Sequence, residues 1–279
     1  MSFSNKLCSG KLYKITAQCA GLFLLLSFAP ISSFAELPLT VEELLTKQNQ
    51  WKIETGLVYS DQTYTDALLT TLGLRYGWSA DTEFYTRIGL VGSWSRVETI
   101  EGVKRDVSRQ TKDVWLGVNY KLKNESSTFG SLVFLEAAVA ENIASKGNDW
   151  VYARSWRGGA TIYKTNDPIV MVGTAIVGYN RLFSNDKGER INPGEFILLN
   201  PMFYFTANNE ITLGTGMSLN LRGASKINDK TIGTATTTTK LNFSLTYAVS
   251  KASTYTFSTS SDVSSYKGSD FAFNWVYKM

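Results

Sequence analysis

FAFNWVYKM (Phe271–Met279) places a large apolar or aromatic side chain at every second position: Phe271, Phe273, Trp275 and Tyr277. Ala272, Asn274, Val276 and Lys278 alternate with them. A period of two marks a strand with two unlike faces. The end of a soluble domain usually frays and accepts polar residues at little cost. Here it carries the most aromatic strand of the chain, which is expected to be indispensable to the fold.

The same alternation recurs upstream. KLNFSLTYAV (Lys240–Val249) sets Leu241, Phe243, Leu245 and Tyr247 against Asn242, Ser244 and Thr246. ITLGTGMSLNLR (Ile211–Arg222), DVWLGVNYKL (Asp113–Leu122), ALLTTLGLRYGW (Ala67–Trp78) and WKIETGLVYS (Trp51–Ser60) repeat the pattern. Strict alternation over ~10 residues predicts half-buried strands. Twelve are expected, over 51–60, 67–78, 83–94, 113–122, 129–140, 151–163, 169–181, 195–206, 211–222, 236–249, 254–262 and 270–279. The three segments from 151 to 206 carry apolar residues in both phases.

The connections also alternate. SADT (Ser79–Thr82), NESS (Asn124–Ser127), TNDP (Thr165–Pro168), ANNE (Ala207–Glu210) and SKAS (Ser250–Ser253) hold the residues of tight turns. Between them come longer charged stretches, Ser95–Asp113, Glu141–Asp149, Ser184–Gly194 and Gly223–Thr236. Short turns at one end and long loops at the other is the build of outer-membrane barrels.

A soluble sandwich uses alternating strands too, with the apolar face turned inward. Three features favour the barrel. Aromatics gather at segment ends (Trp51, Tyr76, Trp78, Tyr120, Trp150, Tyr179, Tyr247, Tyr277), where two interfacial girdles would hold them. The polar phase mixes Gly73, Gly89, Gly117 and Gly214 with charges, which suits a curved wall around a polar lumen. Segment number is even, so the last strand can close on the first and leave no edge. The expected fold is therefore all-β, a transmembrane antiparallel up-and-down β-barrel of twelve strands over residues 51–279, with Phe271, Phe273, Trp275 and Tyr277 on the closing strand.

Residues 1–35 read as a cleaved signal peptide. Lys6, Lys11 and Lys14 precede the apolar run Cys19–Ile31, and Ser33–Ala35 forms a small-x-small cleavage site. Setting those three lysines aside leaves 25 basic against 24 acidic residues, +1 in place of +4, so no argument for nucleic acid survives. Both cysteines, Cys8 and Cys19, leave with the signal. Residues 36–50 form a short periplasmic segment. Thr40 and Glu43 make a capping box for a helix over Thr40–Lys47 whose Val41, Leu44 and Leu45 share a face. Alone it is too short to be stable, so it plugs the barrel mouth, binds a periplasmic partner or stays a disordered leader.

The chain has no histidine. Ser-His and Cys-His nucleophilic catalysis and histidine zinc sites are excluded, and no calcium-loop motif stands in their place. No catalytic residue, metal or cofactor is expected. Glu54 and Glu136 are the acids expected inside, outnumbered by Arg75, Arg87, Lys121, Arg157, Arg222 and Lys240. A lumen so lined would pass polar or anionic solutes. The same charges would fill it if they paired with one another. The competing reading is a non-conducting, surface-binding barrel with Ser95–Asp113 and Gly223–Thr236 as its adhesive loops.

With LTVEELL (Leu39–Leu45) ahead of WKIETGLVYS, twelve strands and Asn/Asp/Ser turns, residues 40–279 resemble the outer-membrane transporters of the phenol meta-pathway group, which includes the channel that exports functional-amyloid subunits. The resemblance implies a channel in the outer-membrane lipid for small solutes or an exported polypeptide. Residues 36–50 are far too short for the long periplasmic coiled coil of the amyloid exporter. The terminal strand also resembles the signal read by the barrel-assembly machinery, although Lys278 and Met279 stand where that signal ends on an aromatic residue.

Overall fold

The computed structural model describes residues 45–63, 65–99, 102–142, 150–184, 188–264 and 268–279. Twelve long strands run through them. They are β1 (Trp51–Gln62), β2 (Thr65–Gly77), β3 (Thr82–Thr99), β4 (Gly102–Lys123), β5 (Gly130–Asn142) and β6 (Ser155–Asn166), followed by β7 (Ile169–Asn180), β8 (Phe196–Thr206), β9 (Ile211–Arg222), β10 (Thr236–Ala248), β11 (Ser253–Asp262) and β12 (Gly268–Lys278). Each pairs antiparallel with the next. β12 then pairs with β1 from Lys52↔Lys278 to Gln62↔Gly268, which closes the sheet and removes its edges.

Burial runs opposite to that of a soluble domain. Leu72, Leu116, Phe243, Phe257 and Phe271 stand more than half exposed on the outer face, while Ser60, Glu83, Glu136 and Asp270 are buried inside. An apolar surface of this extent belongs against hydrocarbon. Aromatics ring its two ends. Trp51 meets Tyr76 at 4.6 Å between ring centroids, and Tyr76, Trp78 and Phe84 continue the chain of contacts at the short-turn end. At the far end the exposed Trp156 and Tyr179 are cross-strand partners.

Tight turns form because short side chains cap their backbone. The Asn208 carboxamide oxygen accepts from the Glu210 and Ile211 N–H groups at 2.8 Å, and the Ser250 hydroxyl accepts from those of Ala252 and Ser253.

Several expectations need correction. Ser95–Asp113 is not a loop over most of its length: the β3–β4 ladder continues through Ser95↔Asp106 to Thr99↔Gly102. Beyond the hydrocarbon a strand needs no apolar face, so alternation of apolar residues stops before the strand does. β6 begins at Ser155, because Trp150–Val151 pairs separately with the end of β5. Ser184–Gly194 and Gly223–Thr236 contribute strands to a small antiparallel sheet of Phe183–Ser184, Arg190–Asn192, Lys226–Ile227 and Lys230–Thr231.

Val41 and Leu44 lie outside the described residues. Leu45, Thr46 and Lys47 are not helical. The Thr46 N–H is committed to a side chain inside the barrel, and the Asn49 N–H donates to the Gly77 carbonyl at 2.8 Å, so the backbone turns across the barrel mouth instead of coiling.

Candidate functional site: the barrel lumen

Because side chains alternate along every stave, the polar phase converges on the interior. At the short-turn end Glu54 on β1 pairs with Arg75 on β2, and Arg75 also reaches Glu83 on β3 at 2.9 Å. Glu83 is fully buried. Asn119 donates to it at 2.6 Å, as do the Thr46 N–H at 2.6 Å and the Thr46 hydroxyl. A carboxylate removed from water must be met by this many donors. The segment before β1 is thus held to the inner wall by a charged hydrogen bond, with Leu45 and Thr46 both buried. Lys121 lies at the same rim and pairs with Asp81 at 3.1 Å.

Across the middle, one row of partners runs Arg75↔Tyr85↔Gly117↔Glu136↔Arg157↔Gly178↔Phe196↔Arg222, from β2 to β9. Glu136 takes Arg157 at 3.2 Å, Arg87 at 3.6 Å and the Tyr85 hydroxyl at 3.2 Å. Cations and aromatic rings stack along this row and its neighbour. Arg87 lies 5.5 Å and Arg157 4.0 Å from the Trp115 ring centre, and Arg157 and Arg222 lie 6.0 Å and 5.5 Å from that of Phe196. These distances fall within cation–π range. Glycine makes the stack possible: a Cβ at Gly117 would run into the Tyr85 ring, and one at Gly178 into the Phe196 ring.

Nearer the long loops, Arg154 grips Glu141 with two hydrogen bonds of 3.1 and 3.2 Å, joined by the Ser155 hydroxyl at 2.9 Å. On the seam, buried Asp270 of β12 accepts from Ser60 on β1 at 2.6 Å and from Ser260 on β11 at 2.7 Å, and it pairs with Lys240 on β10. Phe271, Phe273, Trp275 and Tyr277 stand on the outward phase of β12. Phe273 packs on Phe257 at 5.0 Å, and the Trp275 indole N–H donates to Ser253 at 2.9 Å.

The eight charges singled out in the sequence thus fall into separate groups: Glu54 with Arg75, then Arg87 with Glu136, Arg157 and the stacked Arg222, with Lys121 and Lys240 apart. The expectation that Glu54 and Glu136 are the only interior acids is wrong, because Glu83, Asp113, Glu141 and Asp270 line the wall as well. The excess of interior cations shrinks accordingly. A period-two reading puts Glu83 in phase with Arg87, and Trp115 in phase with Gly117 and Lys121. A lone tryptophan in a polar phase was the available signal.

No family model matches the chain, and no curated protein matches it. Solved structures do. An outer membrane channel from Pseudomonas putida F1 superposes with a TM-score of 0.68 at 10% identity, covering 90% of this chain and 100% of that one. What this chain shares with that structure is the fold, a closed antiparallel β-barrel. The NanC porin superposes at a TM-score of 0.53 and 11% identity over 81% of this chain and 100% of its own. The translocator domain of the autotransporter NalP from Neisseria meningitidis gives 0.52 at 10% identity, over 96% and 99%. At such identities the likeness is one of fold alone.

Proposed function

We propose that this protein is an outer membrane channel that passes small polar solutes by passive diffusion and is not an enzyme. The observation that carries the reading is the closed barrel with lipid-compatible residues outside and polar ones inside. The architecture shared with known channels supports it, as does the resemblance of its first strand and preamble to the phenol meta-pathway group. Twelve staves lie between the eight that side chains fill and the 16–18 that leave a wide channel, so the passage is narrow. Most interior charges are paired with an opposite charge, which supports small polar solutes over a strongly ion-selective pore. Passage of a polypeptide is disfavoured by the stacked arginines and rings inside the wall.

The short-turn end faces the periplasm in this reading, and residues 45–50 restrict that mouth, which favours a restricting role for this segment over recruitment of a periplasmic partner. The terminal strand serves as the segment read by the assembly machinery. Single-channel recording of the purified full chain in planar bilayers tests the channel. Discrete conductance steps with weak ion preference are expected; absence of any conductance would overturn it. A non-conducting structural barrel is the second reading, and the pairing of Arg87 and Arg157 with Glu136 is what favours it.

A further inference from the structure

The inner wall has two chemically different halves. The inward phase of β1 to β7 carries the paired charges together with Trp115, and many of its side chains are enclosed: Ser60 and Glu83 are inaccessible, and Trp115 and Glu136 each retain 2% of their surface. From β8 to β11 the wall is different. Asn200, Ser218, Asn220, Asn242, Ser244 and Ser258 all point inward and all keep partial contact with solvent. None of these six is ionisable; the cations of those staves are Arg222, stacked on Phe196 at the edge of the wall, and Lys240, paired with Asp270.

These residues are also knit into one surface. The Asn242 amide donates to Ser218 at 2.7 Å and to Asn200 at 3.3 Å, joining β8, β9 and β10. Two further polar atoms lie enclosed behind this surface. The Asn220 carboxamide oxygen and the Ser244 hydroxyl have no hydrogen-bond partner in the protein, although polar atoms so enclosed are normally paired. Gly214 leaves the space in which Ser244 sits, and the Tyr204 ring lies on the same glycine. An aromatic ring beside carboxamides and hydroxyls offers both the stacking face and the donors and acceptors that an uncharged hydroxylated molecule uses.

We propose that solutes cross along the β8–β11 wall, and that this lane selects uncharged, hydroxyl-bearing solutes of the sugar and polyol class. The paired charges of the opposite wall are a structural spine that takes no part in selection. The inference rests on the channel reading above and names the solute class of that channel.

The test uses the full chain, which has no cysteine beyond Cys8 and Cys19 in the predicted signal, so single cysteines report cleanly. In proteoliposomes, swelling with glucose should be about tenfold faster than with gluconate or glucosamine, the discrimination a polar pore wall can supply. S218C, N242C and S258C should react with a water-soluble thiol reagent about tenfold faster than T71C and T161C, and their modification should lower the current, because side chains lining a water-filled path are the accessible ones. Folding of every variant is checked by heat-modifiable gel mobility. Equal or reversed labelling rates would overturn the lane, and so would faster passage of the charged sugars, with conduction itself left standing. No swelling and no current in the unmodified protein would instead remove the channel reading, and this inference with it.

Discussion

Glu136 is the interior residue on which most depends. Its carboxylate lies between Arg87 and Arg157 with 2% of its surface exposed. Glu136→Gln keeps the shape and removes the charge, leaving two guanidinium groups on a buried wall without their shared counter-ion. The variant should lose about 3–5 kcal/mol of stability, the usual cost of breaking a buried pair from one side. Urea unfolding in lipid vesicles, followed by tryptophan fluorescence, measures it; a loss below ~1 kcal/mol would match an exposed pair and contradict the assignment. Glu125, in the turn between β4 and β5, behaves differently. Partial burial raises its pKa, but bonds from the Thr165 N–H and hydroxyl and from Lys164 outweigh that and hold it below the ordinary carboxylate value. A lowered folded pKa stabilises above the ordinary range, and the contribution disappears as pH falls through the lowered value. Glu125→Gln should therefore weaken the turn by only ~0.5–1 kcal/mol at neutral pH and make no difference once the wild-type carboxyl is protonated.

At the scale of the strand, parity was legible from the residues alone. Every charge assigned to the interior sits on the inward phase, and the four large residues of FAFNWVYKM sit on the outward one. Partnership was not legible, because it depends on register between staves far apart in sequence, as with Ser60 and Asp270 on β1 and β12. Strand length was misread where β3 and β4 leave the hydrocarbon, since the pattern reports lipid contact and not hydrogen bonding. Glycines in the inward phase read as curvature, yet Gly117 and Gly178 chiefly make room for neighbouring rings. Gly117→Leu should accordingly expel the Tyr85 ring and cost about 1–3 kcal/mol, as overpacking does. Gly92→Leu, at a position where a Cβ meets only the edge of Trp94 at 3.8 Å, should be tolerated. The segment before β1 gives a second test. Deleting residues 36–48 removes Thr46 from Glu83 and should raise single-channel conductance; unchanged current would mean that the mouth is not restricted there.

For the whole molecule, a small net charge and an ordinary hydropathy average concealed a membrane protein. The reason is geometric: apolar and polar residues alternate, so any average over the chain cancels them, whereas a spanning helix would stand out. Closure was inferable from an even number of staves, and the β1–β12 ladder carries it out with its polar clasp at Asp270. The two-sided character of the lumen was not inferable, because it requires knowing which staves share a wall. The barrel requires the apolar phase to meet lipid and the polar phase to meet an enclosed interior. A spin label carried residue by residue along β11, from Thr254 to Ser261, measures this directly. Collision with lipid-soluble oxygen should peak at positions 255, 257, 259 and 261 and fall at 254, 256, 258 and 260. A flat profile would contradict the barrel, and so would oxygen access peaking in the opposite phase.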